Sequence, residues 1–345
     1  MMWPKVSIVV LNWNGWKDTI ECLESLYQIS YPNYDIIVVD NGSEDESIEM
    51  IKEYAKGIIE VESTFFQYTD ENKPIKIIEY TSEEAEAGGG KEKEIEHIFA
   101  NRKMILIEND KNYGFAEGNN IGVRYALKVL NTDYVLLLNN DTIVDKRFLG
   151  ELVTIGGDNN SIGILGPKIY YYDNPSRIWL AGGELSWFPW SFKGRYNVLD
   201  KGQLETISDV DFIPGTCMLV KREVIIKIGL LPTEYFMQWE DIDYCKLASR
   251  GNFRCVYVPK SRILHKVSAS YNKLKSNYFQ TEMGIKNRIL FFRKYLSKPK
   301  FLIYTLFFIF ILIPTFLAYY VFFYRDLKRV RAFINGAMKG FIVRV

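Results

Sequence analysis

Ile36-Ile37-Val38-Val39-Asp40-Asn41-Gly42-Ser43 decides how the rest of this chain is read. Four β-branched apolar residues in a row fit a strand covered on both faces. The polar, turn-forming residues after them end it. Ser43 followed by Glu46 predicts an N-cap and capping box opening the next helix. Upstream, Val6-Ser7-Ile8-Val9-Val10-Leu11 is another such run, stopped by Asn12-Trp13-Asn14-Gly15. From Trp16 to about Gln28, Ile20, Leu23, Leu26 and Tyr27 share one stripe, which predicts a helix. Strand, helix, strand, helix is the start of an α/β sheet.

Downstream, residues 60–103 are rich in Glu and Lys and hold Ala87-Gly88-Gly89-Gly90. They are expected to form an inserted excursion, a hairpin plus a mobile acidic loop, and His97 within it has no assigned role. Strands are expected at Met104–Ile107 and Tyr134–Leu138. Between them, residues 112–120 lead into a helix ending near Leu130, and a first half closes near residue 145. The second half, 146–290, is more irregular. It has aromatic loops (Trp179, Trp187, Phe188, Trp190), a Pro214-Gly215 turn and a strand from Cys217 to Val220. A helix from Trp239 to Arg250 stops at Gly251, and a last strand covers Phe253 to Val258.

The 345 residues suffice for one large domain or two small ones. Charged residues make up 25% with a net charge of +1, so no basic footprint argues for nucleic acid. Cys22, Cys217, Cys245 and Cys255 show no CxxC spacing, which speaks against a zinc or disulfide framework and fits reduced thiols in a cytosolic domain. The run at Val6–Leu11 is too short for a signal-peptide core and is expected to be a buried strand.

Residues 301–324 carry no charge. As a helix they would measure about 36 Å, against a hydrocarbon core of about 30 Å. Tyr319, Tyr320 and Tyr324 cluster at one end like an interfacial belt. Pro314 is a place for a kink or a re-entrant turn, and a buried core helix is the competing reading. Basic residues lie on both sides, so charge does not fix the orientation. The tail, 325–345, alternates basic and apolar residues, as a helix lying on lipid does.

Six stretches in order, VSIVVLNWNG, VVDNGSED, NYGFAEGNN, LLLNND, FIPGTCMLVKRE and EYFMQWEDIDYCKLASRG, resemble the family 2 inverting glycosyltransferases of GT-A fold, and among them the rhamnosyltransferase-like members that build cell-surface polysaccharides. The resemblance covers roughly residues 5–270 without the 60–103 excursion, and the C-terminal apolar segment lies outside it. It implies an α/β, Rossmann-like nucleotide-diphospho-sugar transferase domain over 1–290. Residues 1–145 would be its nucleotide half and 146–290 its acceptor half, followed by a membrane-associated helical segment at 301–324 and a basic amphipathic tail.

The resemblance also implies roles. Asp40, at the carboxyl end of a strand where α/β ligands bind, matches a nucleoside contact; alone it reads equally as a turn former before Gly42. Asn12 matches a nucleotide-contacting loop. Asn119 and Asn120 are read as preceding a helix, where phosphate meets free N–H groups or Asn simply caps. Asn139-Asn140-Asp141 stands where the family has DxD. Asp141 is therefore the expected carboxylate ligand of Mg²⁺ or Mn²⁺ bridging a diphosphate, and Asn139 is left to the ribose or donor sugar. Glu240 and Asp241 suit a helix N-terminus on dipole grounds. By resemblance Asp241 is the general base for an acceptor hydroxyl, and Glu240 orients the acceptor or a neighbouring loop. His265 matches a metal-binding histidine of some members. Gly215 and Thr216 match a loop lining the donor–acceptor pocket, and Trp239 is either an acceptor wall or core.

The expected reaction is transfer with inversion from a UDP-, dTDP- or GDP-sugar to a hydroxyl of a glycan or polyprenyl-linked acceptor. It would take place at the cell membrane with the catalytic domain in the cytoplasm, where nucleotide-sugars are made. Two alternatives stay open: transfer to a polyprenyl phosphate, which needs no strong base, and a non-catalytic membrane-tethered sugar-binding module. A nucleotidyltransferase would want a Gly-rich basic phosphate loop near the first strand, and Leu11-Asn12-Trp13-Asn14-Gly15 is not one.

Overall fold

The computed structural model describes residues 3–157, 159–186, 191–193, 195–267, 277–323 and 325–343. Trp187, Phe188, Trp190 and Tyr324 lie outside the described residues. In chain order the first half comprises β1 (Val6–Asn12), α1 (Trp16–Tyr27), β2 (Tyr34–Asp40), α2 (Ser47–Lys56), β3 (Lys76–Thr81), α3 (Ser82–Ala87), β4 (Lys103–Glu108), α4 (Gly114–Tyr125), β5 (Tyr134–Asn139) and β6 (Thr142–Val144). The second half adds α5 (Phe148–Gly157), β7 (Ile162–Tyr171), β8 (Arg177–Leu180), β9 (Glu184–Ser186), β10 (Ser191–Lys193), β11 (Tyr196–Leu199), β12 (Ser208–Val210), β13 (Cys217–Lys221), α6 (Arg222–Ile228), α7 (Glu240–Arg250) and β14 (Arg254–His265). Three helices follow: α8 (Asn277–Tyr295), α9 (Lys298–Phe323) and α10 (Leu327–Ile342).

One sheet runs β11-β8-β7-β13-β5-β1-β2-β4-β3. From β5 to β3 its strands are parallel, and β13 joins β5 antiparallel. The chain leaves β1 toward β2 and β4 on one side and returns to β5 on the other. The strand order therefore reverses at β1, and the crevice this opens is where ligands bind in such sheets. The parallel strands read as unbroken apolar runs because both faces are covered: Val9, Ile37 and Ile105 join one core, Ile8, Ile36 and Met104 the other.

Several expectations are corrected. The capping box at Ser43 and Glu46 does not form. The helix starts at Ser47 without a side-chain cap, because Gly42 turns with φ +70° and Ser43 is drawn to Asp40 instead. Residues 60–103 are no mere excursion. They supply the edge strand β3, paired to β4, and a short helix with a true capping box between Thr81 and Glu84. The strand expected at Phe253–Val258 continues as β14 to His265, across a bulge between Val258 and Arg262. Pro314 does not break α9; a wide turn at Phe308–Leu312 accommodates its missing N–H. The tail forms a helix, α10, that buries Ala332, Phe333, Gly336, Ala337 and Gly340 on one side and exposes Leu327, Ile334, Met338 and Ile342 on the other. The four cysteines are free and buried; burial pushes the Cys22 thiol up to about 12, which leaves it inert.

Candidate active site

The register of the parallel strands brings the first group of residues together. Asn12 lies beside Asp40, and Leu11 beside Asn139. Asn12 donates from Nδ2 to Asp40 Oδ2 at 2.6 Å, and its Oδ1 accepts from Thr19 at 2.8 Å. The same Asp40 oxygen also accepts from Ser43 Oγ, and Oδ1 accepts from the Ser43 N–H at 2.9 Å. Both residues are buried and tie the β1 and β2 loops together. Asn41 does the same for the next loop: it donates to Asn112 and Gly114 and accepts from Asn109 and the Tyr113 N–H. Above this floor opens a cleft of about 530 Å³, lined by Leu11, Trp13, Asn14, Asp18, Asn41 and Phe115 among others. Gly15 sits at its base, where a Cβ would come within 2.7 Å of Asn140 Nδ2.

Asp141 and His265 meet because β6 pairs antiparallel with the end of β14, setting Thr142 opposite His265. His265 Nε2 stands 3.2 Å from Asp141 Oδ1. The two side chains are buried, and Trp179 makes a T-shaped contact with the imidazole, ring centroids 4.6 Å apart. Burial opposes ionisation of Asp141, but the imidazole, a backbone N–H and the Lys266 ammonium outweigh it and hold the carboxyl below its ordinary value. His265 Nδ1 and the neighbouring Asn139 Oδ1 have no hydrogen-bond partner among the described residues, and Asp141 Oδ1 has only the imidazole beside it. Buried polar atoms left so, side by side at a strand end, leave acceptor sites open to an ion or water. One carboxylate and one imidazole fit a divalent ion that takes its other ligands from a diphosphate and water. No cluster of three His, Cys, Asp or Glu side chains exists among the described residues to close a protein-only cage. Lys266, next in the chain, pairs with Asp18 at 2.8 Å and Glu21 at 2.5 Å. Burial would lower its pKa, and those carboxylates raise it instead.

The third group is the start of α7. Asp241 Oδ2 accepts the Gly215 N–H at 3.0 Å, and Oδ1 the Ile242 N–H at 2.8 Å. The Thr216 carbonyl accepts the Asn139 N–H at 2.9 Å. The Pro214–Thr216 loop thus ties Asp241 to the Asn139–Asp141 turn. Burial raises the Asp241 carboxyl against the lowering effect of its two N–H donors. Burial and the adjacent Asp241 charge push Glu240 well above the carboxylate range, and its Oε2 is a buried atom without a partner among the described residues. The approach to this helix is strained. Phe236, Gln238 and Trp239 all have positive φ, a conformation non-glycine residues hold mainly where surroundings impose it. Asn287 of α8 imposes it here, donating to the carbonyls of Tyr235, Met237 and Gln238 at 2.8, 2.8 and 3.0 Å.

Three expected residues fall elsewhere. Asn119 and Asn120 lie within α4, whose N-terminus is at Gly114. Both are buried: Asn119 donates to Phe115 O, and Asn120 clamps the Leu231 backbone by donating to its carbonyl and accepting from its N–H. Neither lines the cleft. Trp239 packs on Phe291 and Phe292 of α8 at 5.3 and 5.9 Å, as core. Sequence reasoning missed Asn41, Asp18, Phe115, Phe236 and Lys266. Asn41 and Phe115 sit inside two of the motifs quoted above, and Lys266 directly follows His265.

Two family models match this chain: Glycosyl transferase family 2 over residues 7–76 and Glycosyltransferase like family 2 over residues 92–280. The low-salt glycan biosynthesis hexosyltransferase Agl10 of Haloferax volcanii is 28% identical over 201 residues, 56% of this chain and 61% of that protein. The rhamnosyltransferase WbbL of Escherichia coli K12 is 27% identical over 208 residues, 55% of this chain and 74% of that protein. Among solved structures, the mannosyltransferase PcManGT from Pyrobaculum calidifontis, in complex with GDP-Man and Mn²⁺, superposes with a TM-score of 0.54 at 13% identity, covering 98% of this chain and 87% of that one. At that identity the likeness is one of fold.

Proposed function

Because the chain belongs to the family 2 glycosyltransferases and has their GT-A fold, we propose that it moves a sugar from a nucleoside-diphosphate donor to a hydroxyl of a glycan or polyprenyl-linked acceptor, with inversion. The observation that carries the reading is the buried Asp141–His265 pair at 3.2 Å, with the unpartnered His265 Nδ1 and Asn139 Oδ1 beside it, joined through Thr216 and Gly215 to Asp241. The donor's diphosphate lies over the cleft floor at the ends of β1, β2 and β5. A Mg²⁺ or Mn²⁺ held by Asp141 and His265 supplies Lewis-acid stabilisation of the leaving diphosphate.

Asp241 does the proton work. Each of its oxygens accepts one backbone N–H and keeps a lone pair for the acceptor O–H. As that proton passes to the carboxylate, the acceptor oxygen bonds to the anomeric carbon. The carbon–phosphate oxygen bond breaks, and the nucleoside diphosphate leaves with the electron pair. Attack opposite the leaving group inverts the carbon. A base raised in pKa favours a hydroxyl acceptor over a polyprenyl phosphate, which arrives already ionised. Asn12, Asp40 and Asn41 hold the floor in shape, and Asn139 offers its free Oδ1 to the donor.

Calorimetry with UDP, dTDP and GDP, with and without Mn²⁺, tests the site. One nucleotide is expected to bind only with metal, and Asp141→Ala is expected to abolish this. Asp241→Asn is expected to keep nucleotide binding and lose turnover by roughly 10²–10⁴-fold. A folded sample that binds no nucleotide would sink the reading in favour of a sugar-binding module, and an Asp241→Asn enzyme of undiminished rate would exclude Asp241 as the base.

A further inference from the structure

We infer that the three C-terminal helices form a platform lying in the plane of an anionic bilayer surface, so that α9 enters the membrane sideways without crossing it. The inference extends the membrane part of the proposed function and uses none of its chemistry.

By length and composition α9 could cross: it has 26 residues, none charged from Phe301 onward, and only 11% of its most apolar window is buried. Its packing argues otherwise. The chain reverses after Phe323, and α10 runs back along α9. Phe333 stacks on Phe308 and on Phe316, with ring centroids 5.8 and 3.9 Å apart, and Phe341 packs on Phe301. α10 in turn lies along α8. Arg329 sits over the Tyr278 ring, Lys339 pairs with Glu282, and Arg293 donates to the carbonyls of Gly340 and Phe341. Gly336 and Gly340 make this approach possible, since a Cβ on either would meet α8 backbone within 3 Å. α8 is fixed to the catalytic domain by Asn287 and by Lys294, which pairs with Asp243 at 2.7 Å. Both ends of α9 are thus held beside a charged helix that belongs to the catalytic domain. Crossing would carry Arg325, Lys328, Arg329 and Arg331 through hydrocarbon or strip α10 from its seat.

The uncovered surface of α9 is broad and apolar: Leu302, Ile303, Leu306, Ile309, Phe310 and Ile311 are exposed, as are Leu327, Ile334, Met338 and Ile342 on α10. Held beside α8, this surface enters a bilayer to the depth of the headgroup–acyl boundary. The charge selects the partner. From residue 296 to the end the one acidic residue is Asp326, against Lys298, Lys300, Arg325, Lys328, Arg329, Arg331, Lys339 and Arg344. A basic, apolar-striped helix is attracted to anionic headgroups.

Topology labelling of the full-length protein, added to preformed phosphatidylglycerol vesicles, tests this. The native cysteines are buried, so two exposed reporters suffice: Glu83→Cys on the catalytic domain and Lys328→Cys past the turn. A membrane-impermeant maleimide is expected to label both to the same extent in intact vesicles. Flotation with these vesicles is expected to fall at least tenfold in Lys328→Glu/Arg331→Glu. Labelling of Lys328→Cys only after detergent opens the vesicles would show that α9 spans. No flotation, with the apolar face buried in a concentration-dependent dimer by sedimentation, would show that a second copy covers it. Either result overturns the inference. Nucleotide binding, measured on the same samples, reports on the transferase reading separately.

Discussion

At the residue scale, two neighbouring carboxyls at the start of α7 have been pushed the same way. Burial raises Asp241 and, with the Asp241 charge added, raises Glu240 further. A raised base is lost as pH falls through its raised value. The acid limb of kcat/KM is therefore expected above the ordinary aspartate value of about 4. Asp241→Asn should remove that limb, and a limb that survives it would exclude Asp241 as the titrating base; Glu240, raised further, is already protonated where Asp241 titrates, so Glu240→Gln should leave the limb in place. The same substitution bears on stability. A carboxyl raised on folding destabilises the native state at every pH above its unfolded value, with the penalty growing through the raised range. Glu240→Gln should thus have a higher Tm than wild type at pH 8 and an equal one near pH 3. Asp141 has the opposite sign. Its lowered carboxyl adds stability above the unfolded value, which is lost as pH falls through the folded one.

At the element scale, the segment leading to β3 is held by one buried ion pair. Lys73 reaches Glu24 of α1 at 2.9 Å, with both side chains almost inaccessible, and Tyr54 donates to the same carboxylate at 2.7 Å. Burial lowers the Lys73 pKa against the raising effect of Glu24. Lys73→Met leaves Glu24 charged, buried and short of its partner, and should destabilise the fold by about 3–5 kcal/mol in denaturant titration. Adding Glu24→Gln should recover much of that. A Lys73→Met protein as stable as wild type would mean the pair is solvated in solution. Asn120 is the matching device on α4: Asn120→Ala strands both backbone groups of Leu231 and should cost about 1–3 kcal/mol. These two elements were the least legible in sequence. β3 reads as charged because it is an edge strand with alternate residues exposed, and the NYGFAEGNN motif conceals a helix that begins six residues before Asn120.

At the scale of the whole molecule, the C-terminal helices and the catalytic loop form one mechanical unit. Asn287 of α8 holds three carbonyls of the strained Tyr235–Gln238 loop, and Trp239 packs on the same helix. That loop lends Phe236 and Met237 to the cleft and leads straight into Glu240 and Asp241. Asn287 is a positioning residue. Asn287→Ala should lower kcat about tenfold or more, since small misplacements of catalytic groups cost that much, with nucleotide affinity by calorimetry unchanged. An equal loss of affinity would point to general unfolding instead.

The sequence by itself determined the α/β sheet, since apolar runs ending in Asn12, Asp40 and Asn139 have one economical arrangement, parallel and doubly covered. It also carried the family motifs, because these are contiguous. Tertiary structure alone decided the rest. Asp141 meets His265 only through the β6–β14 register. Asp241 reaches the Asn139 turn only through the Pro214–Thr216 loop. The apolar run at 298–323 acquires a docked face and a free face only when α8 and α10 pack against it. Each is a contact between residues far apart in the chain, fixed by strand register and helix packing, which local pattern does not encode.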